Sequence, residues 1–455
     1  MDAVTGIITI GFIMILGFVG NYIFNRTQIP SIVWLLLFGL IIGMVFRVQD
    51  FSSLYPSLLD DISGLIGAIA IVIILFDGGI NTDLHQLFKG APRGLLLTVC
   101  SFCLSFIITL FIVVGLEVFG VIDLGGHSFV VGAILGGIVG GTSSPIVIPL
   151  AYRLRNLQDK TKMVSSIESI LTDPICIVVV FAIIYMAFKI KELNLLLGIG
   201  NLVTTFSAGI VIGIALGFIW LFIMNKVRKE QFSYILTLAV VFLVYSCTVL
   251  LVGLDKGGEG AGAIACLAFG LVLGNGKKIL KMVRYHGEGF EMDEETKQFH
   301  SLTSFVIRTF FFVYLGMIVS FQKIEFILIG IIILLALLIV RYLAVYIATY
   351  NGDFEKDDKQ TMLVMMPRGL AAAILALKFG QTVFNPEKGG YALSHMTTFF
   401  QDTAFVVILG SAIITTIGIS FICHFENKKN KQTECMDDVR NKIDIIDKQQ
   451  NNNGE

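Results

Sequence analysis

The chain is 455 residues long, 55% hydrophobic and only 15% charged, with a formal net charge of −1 and a mean hydropathy of +0.84. A soluble domain carries about 25% charged residues, so an ordinary water-soluble fold is excluded. The near-neutral balance and the lack of a basic tract exclude a nucleic-acid partner.

Apolar runs of the ~20 residues needed to cross hydrocarbon recur along the chain, which makes it an all-α polytopic membrane protein. Reading these runs against turn signals gives about thirteen spans, near 4–24, 31–46, 62–80, 94–115, 128–151, 163–188, 196–224, 232–254, 260–275, 301–320, 325–349, 361–381 and 400–424. The first run, "VTGIITIGFIMILGFVGNYIF", lacks a basic n-region and a small-residue cleavage site. It reads as a retained span and not as a signal peptide. Cys100 and Cys103 form a CxxC inside the fourth run; in that setting they read as small residues packed in a spanning helix. The polar segment 426–455 is expected to be a cytoplasmic tail.

Two spans carry helix breakers at depth. The fifth, "VVGAILGGIVGGTSSPIVIPLAY", places glycines and prolines from Gly136 to Pro149; the twelfth, "TMLVMMPRGLAAAILALKFG", contains Pro367, Arg368 and Gly369. Proline removes an amide donor and clashes one turn back, so both spans are expected to be discontinuous. Irregular backbone at membrane depth is tolerated only where protein buries it or a wet cavity borders it. The broken spans lie an odd number apart and so cross in opposite senses. That predicts an inverted repeat of two six-helix units, about 4–188 and 232–424, joined by a linker helix at 196–224. Paired interrupted spans point to a transporter's binding site.

The loops after odd-numbered spans hold more than twice the Lys and Arg of the others. The positive-inside rule then places the N-terminus outside and the C-terminus in the cytoplasm of a cell-membrane protein.

A charge at the bilayer centre costs at least about 2.5–3.5 kcal/mol, so each buried one is a functional candidate. Glu168 and Asp173 lie in span six, in "ESILTDP", with Arg308, Arg341 and Arg368 in spans ten to twelve. Asp77, Glu259 and Asp402 lie nearer span ends and read as solvated or capping groups. Five residues separate Glu168 from Asp173, about 140° around a helix of 3.6 residues per turn, so separate roles are expected. Asp173, Ser169 and Thr172, with Thr142, Ser143 and Ser144 and the freed carbonyls near Pro145, supply the oxygens that a hard monovalent cation requires. Glu168 requires a permanent basic partner, and by depth either Arg341 or Arg308 serves.

The motifs that carry catalysis are missing. There is no HExxH, GxSxG or GxxxxGK[ST] in the sequence, and His85, His127, His286, His300, His395 and His424 show no metal-ligand spacing. No enzyme activity, cofactor or ATP drive is expected. A channel would use rings of repeated carbonyl motifs. A carrier of a small organic anion would present arginines to the cavity, whereas this site is acidic.

From "LFDGGI" through "ESILTDP" to "MPRGLAAAILAL" the chain resembles the monovalent cation:proton antiporter superfamily, in particular its sodium/proton exchangers of the NhaP type. That resemblance implies ion and proton binding at Asp173, pairing of Glu168 with Arg341 in preference to Arg308, and a crossover at Ser143, Ser144, Pro145 and Pro367, Arg368, Gly369. It also implies a homodimer. Thr172 stands where the family carries asparagine or aspartate, and Ser144 where many members carry aspartate. Exchange of Na+ for H+ is expected, with K+ or Li+ as alternative cations.

Overall fold

The computed structural model describes residues 3–27, 29–48, 56–154, 157–187, 195–227, 233–253, 257–282, 294–319, 321, 323–382 and 397–422. All regular structure among them is helical. The helices are α1 (Ala3–Thr27), α2 (Ser31–Val48), α3 (Pro56–Ile80), α4 (Leu84–Val118), α5 (Ser128–Val139), α6 (Ser144–Arg153), α7 (Asp159–Tyr185) and α8 (Leu195–Val227). They continue with α9 (Ser233–Val252), α10 (Gly258–Gly274), α11 (Gly276–Met282), α12 (Glu294–Ile318), α13 (Ile324–Thr349), α14 (Lys356–Val364), α15 (Leu370–Thr382) and α16 (Thr397–Ile422). Eight helical stretches among the described residues are long and apolar enough to cross a membrane. The chain spans a membrane. Shorter apolar helices at Gly11–Phe24, Ser31–Val45, Gly67–Ile80 and Gly258–Gly274 accompany them. The expected tail at 426–455, and His286, His395 and His424, lie outside the described residues.

The spans expected to break do so. Gly140 to Ser143 separates α5 from α6, and Met365 to Gly369 separates α14 from α15. Pro145 sits in the first turn of α6, where its missing N–H would have had no helical partner anyway. Pro174, by contrast, is carried inside an unbroken α7.

The helices pack in two groups. In one, α4 lies against α5, α7 and α13, with α6 on α7 and α14 on α13. In the other, α2 lies against α1 and α12, and α10 against α3, α8 and α9. Helix α15 touches α5 and α7 of the first group and α3 and α12 of the second, and α10 touches α7, which joins the groups. In the most apolar windows of α5–α6 and α7, 78% and 72% of residues are buried, against 28% for α8 and α9. The broken and acidic helices are therefore interior, while α8 and α9 turn most of their apolar side chains outward, as lipid-facing helices do.

Small residues set the closest approaches, because lipid tails offer no hydrophobic drive and helices must pack by contact. Gly39 of α2 and Gly316 of α12 face each other: a Cβ on Gly39 would meet the Val313 carbonyl, and one on Gly316 the Leu36 carbonyl. Both obstacles are backbone and cannot rotate away. Gly316→Leu is expected to cost about 1–3 kcal/mol by overpacking. Thermal unfolding in detergent checks this; an unchanged melting temperature would show that the α2–α12 contact is loose.

Candidate functional site

Where a helix breaks inside an apolar interior, its last carbonyls and the first amides of the next helix lose their partners. Two such breaks meet here and supply one another. The Ser143 N–H donates to the Pro367 carbonyl at 2.8 Å. The Arg368 guanidinium donates through Nη1 to the carbonyls of Gly140 and Gly141, at 2.9 and 2.8 Å. Arg368 is 1% exposed and so puts a positive charge on the negative end of α5. A Cβ on Gly369 would strike the Ser143 side chain, so the strands of the crossover touch at glycine.

By depth either Arg341 or Arg308 can pair with Glu168, and the family resemblance favours Arg341. In the structure Glu168 forms an ion pair with Arg341, and both side chains are 1% exposed. Arg341 also donates to the carbonyls of Met362 and Met365, each at 2.9 Å. It therefore ties α7 and α13 to the end of α14. Arg308 lies instead on α12 within electrostatic range of Asp77. Asp77, only half-buried, accepts from Asn81 at 2.9 Å and from Ser301 at 3.1 Å.

Asp173 is fully inside, on the face of α7 that meets α6. The Ser144 hydroxyl donates to its Oδ2 at 3.4 Å, and the Ser144 backbone amide also reaches it. The carboxylate thus sits on the positive end of a half-helix, a setting that favours an anion. Thr172 is placed differently from a free ligand. Its Oγ1 accepts from the Thr142 N–H at 3.0 Å and lies 3.2 Å from the Thr142 carbonyl and 3.4 Å from the Ser169 carbonyl. It clasps the unwound backbone. Ser169 donates to the Ser166 carbonyl of its own helix at 3.0 Å. Of the oxygens expected around Asp173, the structure brings Ser144 to it and commits Thr172, Thr142 and Ser169 to other bonds.

A cavity of about 290 Å³ lies between α6, α7 and the turn after α3, lined by Asn81, Thr82 and Asp83 with Ile148, Tyr152, Ser166 and Ile170 among others. Ile148 is one turn from Ser144 and Ile170 one turn from Asp173, on the faces those residues occupy. Its lining along α6 and α7 stops one helical turn short of Ser144 and Asp173.

Two groups were not anticipated. Asp402, read as a solvated end residue, is 1% exposed in α16 beside Gln401 (3%) and Thr403 (0%). Distance from a span end misled because α16 is covered by protein there. Ser411 accepts from the Arg368 N–H at 2.9 Å; a lone serine in an apolar helix gives no signal of that bond. Among the described residues no group of His, Cys, Asp and Glu has metal-site geometry, and Cys100 and Cys103 are free thiols.

Removing one member of a buried ion pair strands the other, at a cost of about 3–5 kcal/mol. Glu168→Gln is therefore expected to reduce the yield of monodisperse protein in size-exclusion chromatography. A wild-type yield with an altered cation preference would instead place Glu168 in the binding site.

Known proteins resemble this chain over most of its length. The model of a family described as "Sodium/hydrogen exchanger, transmembrane" matches residues 11–424. A K(+)/H(+) antiporter NhaP of Alkalimonas amylolytica is 25% identical over 91% of this chain, which spans only 65% of that longer protein. Na(+)/H(+) antiporter 1 of Methanocaldococcus jannaschii is 24% identical over 92% of this chain and 93% of its own length. A solved structure of a sodium proton antiporter from the same organism, at pH 8, shares the fold with a TM-score of 0.74 at 24% identity, covering 91% of this chain and all of that one.

Proposed function

The chain belongs to the sodium/hydrogen exchanger family, a transporter of the monovalent cation:proton antiporter superfamily and not an enzyme, and from that premise we propose that it exchanges Na+ for H+ at Asp173 by alternating access. The observation that carries this reading is the unequal treatment of the buried charges around the helix breaks. Glu168, Arg341 and Arg368 are each tied to charges or helix-end carbonyls. Asp173 meets only the hydroxyl and amide of Ser144 among the contacts described. A carboxylate so placed needs a proton or a cation before it can cross an apolar barrier.

The exchange rule follows. A proton and a cation compete for one carboxylate, and each adds the same single positive charge to it. The moving part therefore carries equal charge in both directions, which gives electroneutral 1:1 exchange. The bare anion has no partner of opposite charge and does not cross. The back-to-back breaks support thirteen crossings in two inverted six-helix units, about 4–188 and 232–424, with 196–224 as the linker; their rocking would expose Asp173 alternately to the two sides. The loop charge bias supports an external N-terminus and a cytoplasmic tail at 426–455 in a cell-membrane protein, and the family resemblance supports a homodimer.

K+ is the second cation of this reading. Thr172 is committed to the backbone and Ser144 brings a hydroxyl where relatives in the superfamily carry an acid, so the site holds one fixed negative charge, and the lower field of such a site narrows the preference for the smaller ion.

Proteoliposomes with an acid interior and a pH dye test the proposal. Addition of Na+, K+ or Li+ is expected to trigger dye recovery in the wild type and none in Asp173→Asn, with no dependence on an imposed membrane potential. Recovery that persists in Asp173→Asn would mean that another group carries the proton, and a voltage-dependent rate would contradict 1:1 exchange.

A further inference from the structure

Thr172 and Ser411 occupy matching places. Each lies in the unbroken helix that follows a broken one, Thr172 in α7 after α5–α6 and Ser411 in α16 after α14–α15. Both side chains are fully buried, at 0% exposure. Each hydroxyl accepts from a backbone N–H inside a break: Thr142 N–H to Thr172 Oγ1 at 3.0 Å, Arg368 N–H to Ser411 Oγ at 2.9 Å. Each is also placed to donate three residues back along its own helix, Thr172 to the Ser169 carbonyl at 3.4 Å and Ser411 to the Ile408 carbonyl at 3.0 Å. A serine in a spanning helix ordinarily bonds only backward to its own backbone. Ser411 does that and also holds a backbone amide from a different element.

We propose that Ser411 is a positioning residue for transport, a second hydroxyl clasp that fixes the other break of the crossover and so sets the geometry of a cation site it never touches. The inference rests on the assignment of cation binding to Asp173. The linkage runs through named bonds. Ser411 fixes the amide of Arg368; the Arg368 side chain holds the Gly140 and Gly141 carbonyls. Pro367, one residue before, accepts from the Ser143 N–H, and Ser144, next in the chain, carries the hydroxyl that reaches Asp173. With the clasp gone, a buried amide donor lacks an acceptor, and the segment shifts or admits water to satisfy it. Either response moves Ser144 relative to Asp173. Ser411 touches neither Asp173 nor Ser144 among the described contacts, so its loss leaves the carrying carboxylate in place and alters the fit of the site around it.

Ser411→Ala removes the acceptor and little volume, while Ser411→Thr keeps the hydroxyl, as the matching position in α7 does. Cation-driven dye recovery is measured for both at equal amounts of folded, reconstituted protein, alongside wild type and Asp173→Asn. The expected result is an apparent KM for the cation raised roughly three- to tenfold in Ser411→Ala, the size of one lost buried hydrogen bond. The maximal rate should change by less than the KM, and Ser411→Thr should return the KM to the wild-type value. An unchanged KM in Ser411→Ala overturns the inference. So does a lower melting temperature or maximal rate with KM at the wild-type value, because a merely structural serine would give that. If wild type shows no cation response, or Asp173→Asn keeps one, the assignment of Asp173 itself fails and the inference falls with it; a normal wild type and a silent Asp173→Asn beside an unaltered Ser411→Ala sink the inference alone.

Discussion

Everything in this molecule follows from one constraint: four helix ends meet inside an apolar interior, and none of their polar groups can be left to water. The C-terminal carbonyls of α5 are taken by Arg368, and those of α14 by Arg341. The breaks bond to each other through Ser143 and Pro367. The amides of Thr142 and Arg368 go to hydroxyls on neighbouring unbroken helices. The result is a rigid knot of backbone in the most buried part of the protein, and the positive end of α6 emerges from it directly against Asp173.

The arginines explain why two acids survive burial and why they act differently. Arg341 answers both a helix end and Glu168, so that pair is complete and its removal damages the fold. Arg368 is occupied by carbonyls, which leaves Asp173 with a helix N-terminus and a hydroxyl. Those partners are enough to hold an anion in place and too weak to neutralise it. In the proposed exchange, proton and cation are alternatives at this carboxylate, and a cavity lies one helical turn away along α6 and α7.

Much of this was legible in the sequence, because proline and glycine at depth are rare and have direct backbone consequences. The breaks at Gly140–Ser143 and Met365–Gly369 follow from Pro145, Pro367 and the flanking glycines, and the separate surroundings of Glu168 and Asp173 follow from their angle on a helix. Depth did not separate Arg341 from Arg308, since both arginines fit. The structure separates them through lateral packing, with α13 beside α4 and α14 and α12 beside α2 and α3, which no single-sequence pattern encodes. Thr172 was read as a ligand because hydroxyls near an acid suit a cation; whether a hydroxyl faces the cavity or a backbone amide depends on the neighbouring break. Asp402 and Ser411 were missed for the same reason, as their burial comes from other helices.

The central claim is that a cation and a proton exclude each other at Asp173. The most direct measurement is proton release on cation binding to the purified protein in detergent, read as the dependence of the binding enthalpy on the ionisation enthalpy of the buffer. The account predicts that, near the midpoint of proton binding, cation uptake displaces a proton, with at most one released per cation bound, and that both binding and release vanish in Asp173→Asn. A cation that binds the wild type with no proton released at any pH would contradict it.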